Sequence, residues 1–342
     1  MRENSFISNS KTVIKLIAFL IIVGLVFYKT GLKYKSAGDK NVINAFTQQR
    51  YSEFYNQEPN TIDTVFIGSS HSYCTFDPEI IDTILGTNSW QMGTPLQHYD
   101  TSYYVLREVL NSQKPKTVVL ELYWDVLKDE FEMKQANSFF EVLKNQSLKD
   151  EYIKKVFPIN EKVKYKLLPI RYQQDYFAYE SNEIQNKLEE KYGVHKKATP
   201  VVEGTEYYRS KGYTYCDVIM PENEYNETNQ FKGYDGENWE FNKVQKKYIE
   251  KIIDLCKKEG INLYFVTAPV ANVSMEYIEN YDIIHNTVAD FANKNNIPYI
   301  DYNIVNKETG MLTNENFRDD AHLNHSGVQI VDKHFAEWLR NN

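Results

Sequence analysis

The chain is 342 residues long and 42% hydrophobic, so it can bury a sizeable core and is not a disordered polymer. Its formal charge of -8 lacks the concentrated basic surface that phosphate binding needs, which sets nucleic acid aside as a partner. Cys74, Cys216 and Cys256 form an odd set without CxxC spacing, so neither a disulfide framework nor a structural zinc site is expected.

In chain order, the first feature is KTVIKLIAFLIIVGLVFYKTGLKYK. Its uncharged run Leu16–Tyr28 extends back to Thr12 and predicts a transmembrane anchor over residues 12–30, preceded by a tail at 1–11. Lys15 and Lys29 can snorkel to the interface, where Tyr28 is also at home. A cleaved signal peptide is the competing reading, with KSAG around Ala37 as its only small-residue site. Arg2, Lys11 and Lys15 on one flank match Lys29, Lys33, Lys35 and Lys40 on the other, so charge does not orient the segment. Residues 31–60 read as a linker and lead-in helix before a main domain at 61–342.

That domain opens on TVFIGSS, an apolar strand stopped by glycine, followed by a short strand in TNSWQMG and a helix in DTSYYVLREVLNSQ capped by Asp100 or Thr101. PKTVVLELYW is a third strand. Later, NKVQKKYIEKIIDLCKKEG predicts an amphipathic helix ending at Gly260 with Cys256 on its buried face. INLYFVTAP is a strand, SMEYIENYDIIHNTVADFANKNN one long helix and IPYIDY a final strand. Apolar strands separated by helices give an α/β class with a parallel sheet covered on both faces. An insertion at about 126–240 breaks the rhythm, with helical candidates KDEYIKKV and SNEIQNKLEEKYG among Tyr-, Asn- and Gly-rich loops. It follows the third strand, so it reads as a lid, a docking element or a surface elaboration. The 27 tyrosines suit carbohydrate stacking, a membrane interface or simply a large core.

Two short polar blocks carry chemistry. Gly68-Ser69-Ser70-His71-Ser72 ends the first strand, a common way to present a nucleophile and a common way to end a strand. Asp319-Asp320-Ala321-His322 follows the last strand, and Asn324 or Ser326 can cap the helix beyond. A carboxylate three positions before an imidazole can accept its Nδ1 proton and leave Nε2 to act as a base.

These blocks resemble the SGNH/GDSL hydrolases. The first matches their strand followed by Gly-x-Ser, with Ser69 where aspartate is usual. The last matches their Asp-x-x-His, followed here by Leu323 and Gly327. The resemblance covers roughly 61–125 and 240–340 and leaves the insertion unmatched. It implies a three-layer flavodoxin-like fold with a central parallel sheet, Ser70 as nucleophile, His322 as base and Asp319 as its orienter. The backbone N–H groups of Ser70 and Gly93 become the oxyanion donors. The family's Gly-x-Asn-Asp block has no counterpart in LELYWDV, which removes a donor typically worth ~3 kcal/mol of transition-state stabilisation.

With the anchor and the G-S-S turn, the chain looks most like the membrane-anchored DltD-like branch, which works with membrane-bound O-acyltransferases on cell-envelope polymers. The implied activity is a serine esterase or acyltransferase on an acyl ester of envelope polysaccharide or a teichoic-acid-like polymer. The implied domain location is outside the cytoplasmic membrane. The alternative is a non-catalytic assembly factor that binds a glycopolymer or an acyltransferase partner. His71 and Trp124 are candidate substrate contacts, although His71 can equally cap its turn. His322 and His325 lack a third metal ligand at known spacing, so neither metal nor cofactor is expected. His98, His195, His285 and His334 have no constellation around them. Asp320 is expected to face solvent or cap the next helix.

Overall fold

The computed structural model describes residues 3–38, 45–140, 142–173, 202–203, 205–226 and 228–342. The SNEIQNKLEEKYG candidate and His195 lie outside these residues. The chain divides into two compact units, one of Met1–Ile43 with Phe157–Lys197, the other of Asn44–Val156 with Ala198–Asn342.

In the first unit, helix α1 (Glu3–Gly38) continues beyond the expected residue 30. Its segment Ser10–Lys35, 26 residues, is long and apolar enough to cross a membrane. Within this unit Leu168 and Pro169 pack against α1 at Gly31.

The second unit begins with α2 (Ala45–Tyr55) and then builds a five-stranded parallel sheet. Its strands are β1 (Thr64–Ile67), β2 (Ser89–Gln91), β3 (Thr117–Glu121), β8 (Asn262–Thr267) and β10 (Tyr299–Asp301), in the order β2-β1-β3-β8-β10. Five short strands outside this sheet fall between β3 and β10 in sequence: β4 (Val202–Glu203), β5 (Glu206–Ser210), β6 (Tyr213–Tyr215), β7 (Tyr234–Asp235) and β9 (Ile278–Glu279). Helix α3 (Ser70–Thr75) follows β1, α4 (Pro78–Leu85) precedes β2, and α5 (Tyr99–Val109) precedes β3. The expected three-layer flavodoxin-like fold is what forms. On one face α5 packs on Lys243–Glu259, whose Lys246 lies over Phe291 of Tyr281–Lys294. On the other, α4 packs on the terminal helix His325–Asn341.

Side-chain alternation explains why both faces must be covered. Phe66, Val119, Val266 and Ile300 point to the second face and are buried with Phe76, Val331 and Phe335. The chain steps from β1 to β2 on one side and then to β3 on the other. A crevice therefore opens at the carboxyl ends of β1 and β3, where such sheets hold their ligands.

The insertion is built onto this frame. Met133–Phe140 and Gln146–Lys155 pack on α5, and the latter takes in the KDEYIKKV candidate up to Lys155, with Val156 as its C-cap. Strands β4, β5 and β6 form a small antiparallel sheet that docks at the end of β2, where Gln91 N donates to Lys211 O at 2.9 Å.

Two local expectations are corrected. Asp100 and Thr101 do not cap α5 but lie buried in its first turn, because the Gln245 side chain from another helix accepts from Tyr99 N at 2.9 Å and supplies the cap. The long helix expected over 274–296 is broken: Asn272–Tyr277 ends, β9 pairs with β7, and Asn280 turns left-handed at φ 55° before Tyr281–Lys294 begins.

Candidate active site

The turn between β1 and α3 is held from below. Ser69 is the N-cap of α3, accepting from His71 N at 3.2 Å, and it donates from both N and Oγ to Glu121 Oε2 at 2.9 Å. Ser72 turns inward, its Oγ donating to Gln91 Oε1 at 3.0 Å. Of the three serines, Ser70 alone faces the loop that carries His322.

That loop is closed by an antiparallel bridge between Phe317 and Leu323 and by Arg318 N donating to His322 O at 3.0 Å. Inside it, Asp319 accepts from Ala321 N at 2.8 Å and His322 N at 2.7 Å, and both its oxygens lie 3.0 Å from His322 Nδ1. His322 Nε2 is 2.8 Å from Ser70 Oγ. Asn324 caps the terminal helix, its side chain accepting from Ser326 N and Gly327 N at 3.1 and 3.2 Å. The structure therefore brings Ser70, His322 and Asp319 into one hydrogen-bonded chain. A serine hydroxyl so placed can pass its proton to the imidazole as it attacks a carbonyl carbon.

Electrostatics favour this ordering. Burial works against an ionised Asp319, but the His322 ring, its hydrogen bond and the Arg318 guanidinium outweigh it and hold the carboxyl below the usual range. Arg318 is buried and reaches Asp319 Oδ2 at 3.5 Å, Glu206 Oε1 at 3.2 Å and Cys74 Sγ at 3.1 Å. Burial first, and His322 second, push His71 well below the ordinary histidine value, so it stays neutral beside the charge that would form on His322.

Gly93 packs onto the backbone of the β1–α3 turn: a β-carbon there would sit 2.9 Å from Gly68 O and 3.0 Å from Ser69 O. Thr94 N donates to Gly68 O at 3.2 Å, whereas Ser70 N and Gly93 N donate to no acceptor among the described residues. His71 and Trp124 do not lie open to a substrate. His71 is 2% exposed, its ring stacked on Tyr123 with centroids 3.9 Å apart and tilted on His322 at 4.7 Å. Trp124 is 1% exposed and packs against Phe231, Tyr234 and Tyr281, so it is a core residue. Asp320 is also buried rather than solvent-facing, accepting from Gln230 N at 2.7 Å and Gln230 Nε2 at 2.5 Å. No His, Cys, Asp and Glu group suited to a metal occurs among the described residues.

Sequence reading passed over Glu121, Tyr123, Glu206 and Arg318. The one available signal was Glu121, a charged residue ending an apolar strand.

No family model matches the sequence, and no curated protein matches it. Among solved structures the chain is similar to a candidate acylhydrolase from Bacteroides fragilis NCTC 9343, at 12% identity and a TM-score of 0.40 over 86% of this chain and 95% of that one. It is also similar to a GDSL-like lipase from Bacteroides thetaiotaomicron VPI-5482, at 12% identity and a TM-score of 0.37 over 86% of this chain and 99% of that one. An acetyl xylan esterase gives 13% identity and a TM-score of 0.34 over 82% and 99%.

Burial raises the Glu121 carboxyl to about 7, against which its bonds to Ser69 act only in part. A carboxyl raised in the folded state contributes stability that is full below its unfolded value and lost as pH rises through about 7. Relative to Glu121→Gln, the wild type is expected to lose on the order of 2–3 kcal/mol between pH 4.5 and 7.5, read by urea unfolding across pH; parallel curves would refute it. Asp320→Asn exchanges an acceptor for a donor facing Gln230 and should cost about 1–3 kcal/mol, while Asp319→Asn should lower turnover of an ester with a smaller loss of stability. Thermal unfolding and kinetics of both variants separate the two roles.

Proposed function

We propose that the protein is a membrane-anchored serine esterase or acyltransferase of the SGNH type. Its substrates are acyl esters of cell-envelope polysaccharide or teichoic-acid-like polymers, and its catalytic unit lies on the extracytoplasmic side. The observation that carries the reading is the chain from Asp319 through His322 to Ser70, with contacts of 3.0 and 2.8 Å.

In this mechanism Ser70 Oγ attacks the ester carbonyl while His322 Nε2 takes its proton. Asp319 holds the ring through Nδ1 and stabilises the imidazolium. The negative oxygen of the tetrahedral intermediate accepts from Ser70 N–H and Gly93 N–H. As the intermediate collapses, the bond to the leaving alcohol breaks and His322 returns the proton to it. Water or a polymer hydroxyl, deprotonated by the same nitrogen, then attacks the Ser70 ester and restores the enzyme. Hydrolase and transferase share the first half of this sequence and differ only in the second nucleophile. A membrane-bound O-acyltransferase fits as the partner that would supply acyl groups across the bilayer, and the N-terminal helix fits as the element that keeps the site beside it. The non-catalytic reading requires a serine that is not activated.

Ser70→Ala should therefore abolish labelling by a fluorophosphonate probe and lower turnover of a short-chain aryl ester by more than about 10³-fold. Ser72→Ala should stay labelled. Ser69→Ala should stay labelled but lose about 1–2 kcal/mol of stability with its cap and its bonds to Glu121. An unlabelled wild type would favour the non-catalytic reading. For location, protease added to sealed spheroplasts should digest residues beyond the anchor; full protection would rule out the extracytoplasmic placement.

A further inference from the structure

The side-chain oxyanion donor that the resemblance implies is missing here, and the loop after β3 carries the buried Tyr123 and Trp124 in its place. Helix α2, which neither chemical block of the sequence includes, reaches the other side of the same site. Its Tyr51 donates from Oη to Met92 O at 3.2 Å, and its Arg50 donates from Nη1 to Gly93 O at 2.7 Å. The Met92 carbonyl belongs to the same peptide as the Gly93 N–H. Arg50 also donates from Nε to Gly212 O at 2.8 Å and from Nη2 to Thr214 Oγ1 at 3.4 Å, and its guanidinium lies 4.2 Å from the Tyr73 ring of α3. Arg50 is 0% and Tyr51 1% exposed.

We infer that Arg50 and Tyr51 are positioning residues for the oxyanion peptide, orienting and polarising the Gly93 N–H in place of the absent Asn. Three physical points support this. A hydroxyl bonded to a peptide carbonyl strengthens the N–H of that peptide as a donor, because hydrogen bonds in a chain polarise one another. A guanidinium that grips Gly93, Gly212 and Thr214 at once fixes the turn more rigidly than one contact would. The Arg50 bonds all go to neutral acceptors, which leaves its charge uncompensated by them in a buried place. Such a charge is costly in the resting protein, and its field favours a negative charge forming at the turn it grips. Burial also pushes the Tyr51 hydroxyl well above the usual tyrosine value, so it remains a donor at any working pH.

The inference rests on reading Ser70 as the nucleophile and Gly93 as an oxyanion donor. Its test uses full-length wild type, Tyr51→Phe, Arg50→Lys and Tyr55→Phe. The measurements are phosphonylation by a fluorophosphonate, turnover of a p-nitrophenyl ester, and inhibition by a boronic acid, which forms a tetrahedral adduct on serine. Tyr55→Phe is the control: it removes a comparable hydroxyl from the same helix, one that donates to Glu108 at 2.7 Å and does not touch Met92. Tyr51→Phe should lower kcat about tenfold with KM nearly unchanged and weaken boronate binding by the same factor. Tyr55→Phe should leave kcat alone, and Arg50→Lys, which keeps the charge but replaces three separate donor nitrogens by one, should lower kcat further. If Arg50→Lys does not fold, Tyr51→Phe decides the question. A reactive wild type with unchanged kcat in Tyr51→Phe overturns this inference alone, as does an equal loss of kcat in Tyr55→Phe, which would mean that α2 is merely loosened. A wild type that does not react overturns the reading of Ser70, and this inference with it.

Discussion

A β-carbon at Gly68 would sit 2.6 Å from both Cβ and Oε2 of Glu121, so the turn that presents Ser70 is pressed directly onto a buried carboxyl. That contact sets the rest of the site. It lets Ser69 bond Glu121 through two groups, and with Ser69 fixed as N-cap the next residue enters α3 pointing away from the carboxyl. Gly93 then closes on the carbonyls of Gly68 and Ser69, so the second strand's exit is registered against the first. A larger residue at either glycine would push these segments apart by more than a hydrogen bond tolerates. The buried carboxyl is kept because its acceptor capacity holds two donors of a turn that has no other partner for them.

Two buried arginines brace the segments around this turn, and both depend on the β5–β6 hairpin. Arg318 ties Asp319 to Glu206 of β5, while Arg50 ties Gly93 to Gly212 and Thr214 beside and within β6. The hairpin therefore contributes no group to the hydrogen-bonded chain of Ser70, His322 and Asp319, yet it holds acceptors for both cations that flank it. The Gln230 contacts to Asp320 do similar work on the outer side of the His322 loop. This gives the insertion a mechanical part: it converts a loop between two sheet strands into a clamp on the His322 loop and on the Gly93 segment. The buried pairs of Arg318 with Asp319 and Glu206 add little net stability, but breaking one partner leaves the other stranded, which favours a single arrangement.

Helix α2 stands first in the second unit and follows α1 in sequence after residues 39–44. The helix that the chain must traverse on leaving its apolar N-terminal segment is thus the one whose Arg50 and Tyr51 grip the Met92–Gly93 backbone. A lead-in helix is usually a spacer. Here it is buried along Phe46, Arg50, Tyr51 and Phe54, so its docking is part of the core and not an adornment of it.

What the sequence determined by itself was local or periodic. Apolar runs marked β1, β3 and β8. Gly260 ended its helix at φ 69°. The spacing of Asp319 and His322 marked them as a pair, and the loop closed by Phe317 and Leu323 and by Arg318 N on His322 O brings carboxylate and imidazole together. The pairing of Ser70 with His322 spans 252 positions and was legible only through resemblance to a family. Trp124 and Asp320 were misread because residue type gives a preference for surface or interior, whereas Phe231, Tyr281 and Gln230, brought in from elsewhere, decide it. Arg50 and Arg318 carried no signal at all: an isolated arginine reads as solvated, and its acceptors lie as far as 164 and 244 positions away. Only the tertiary structure could settle these, since a buried cation is permitted solely where the finished fold has assembled the groups that satisfy it.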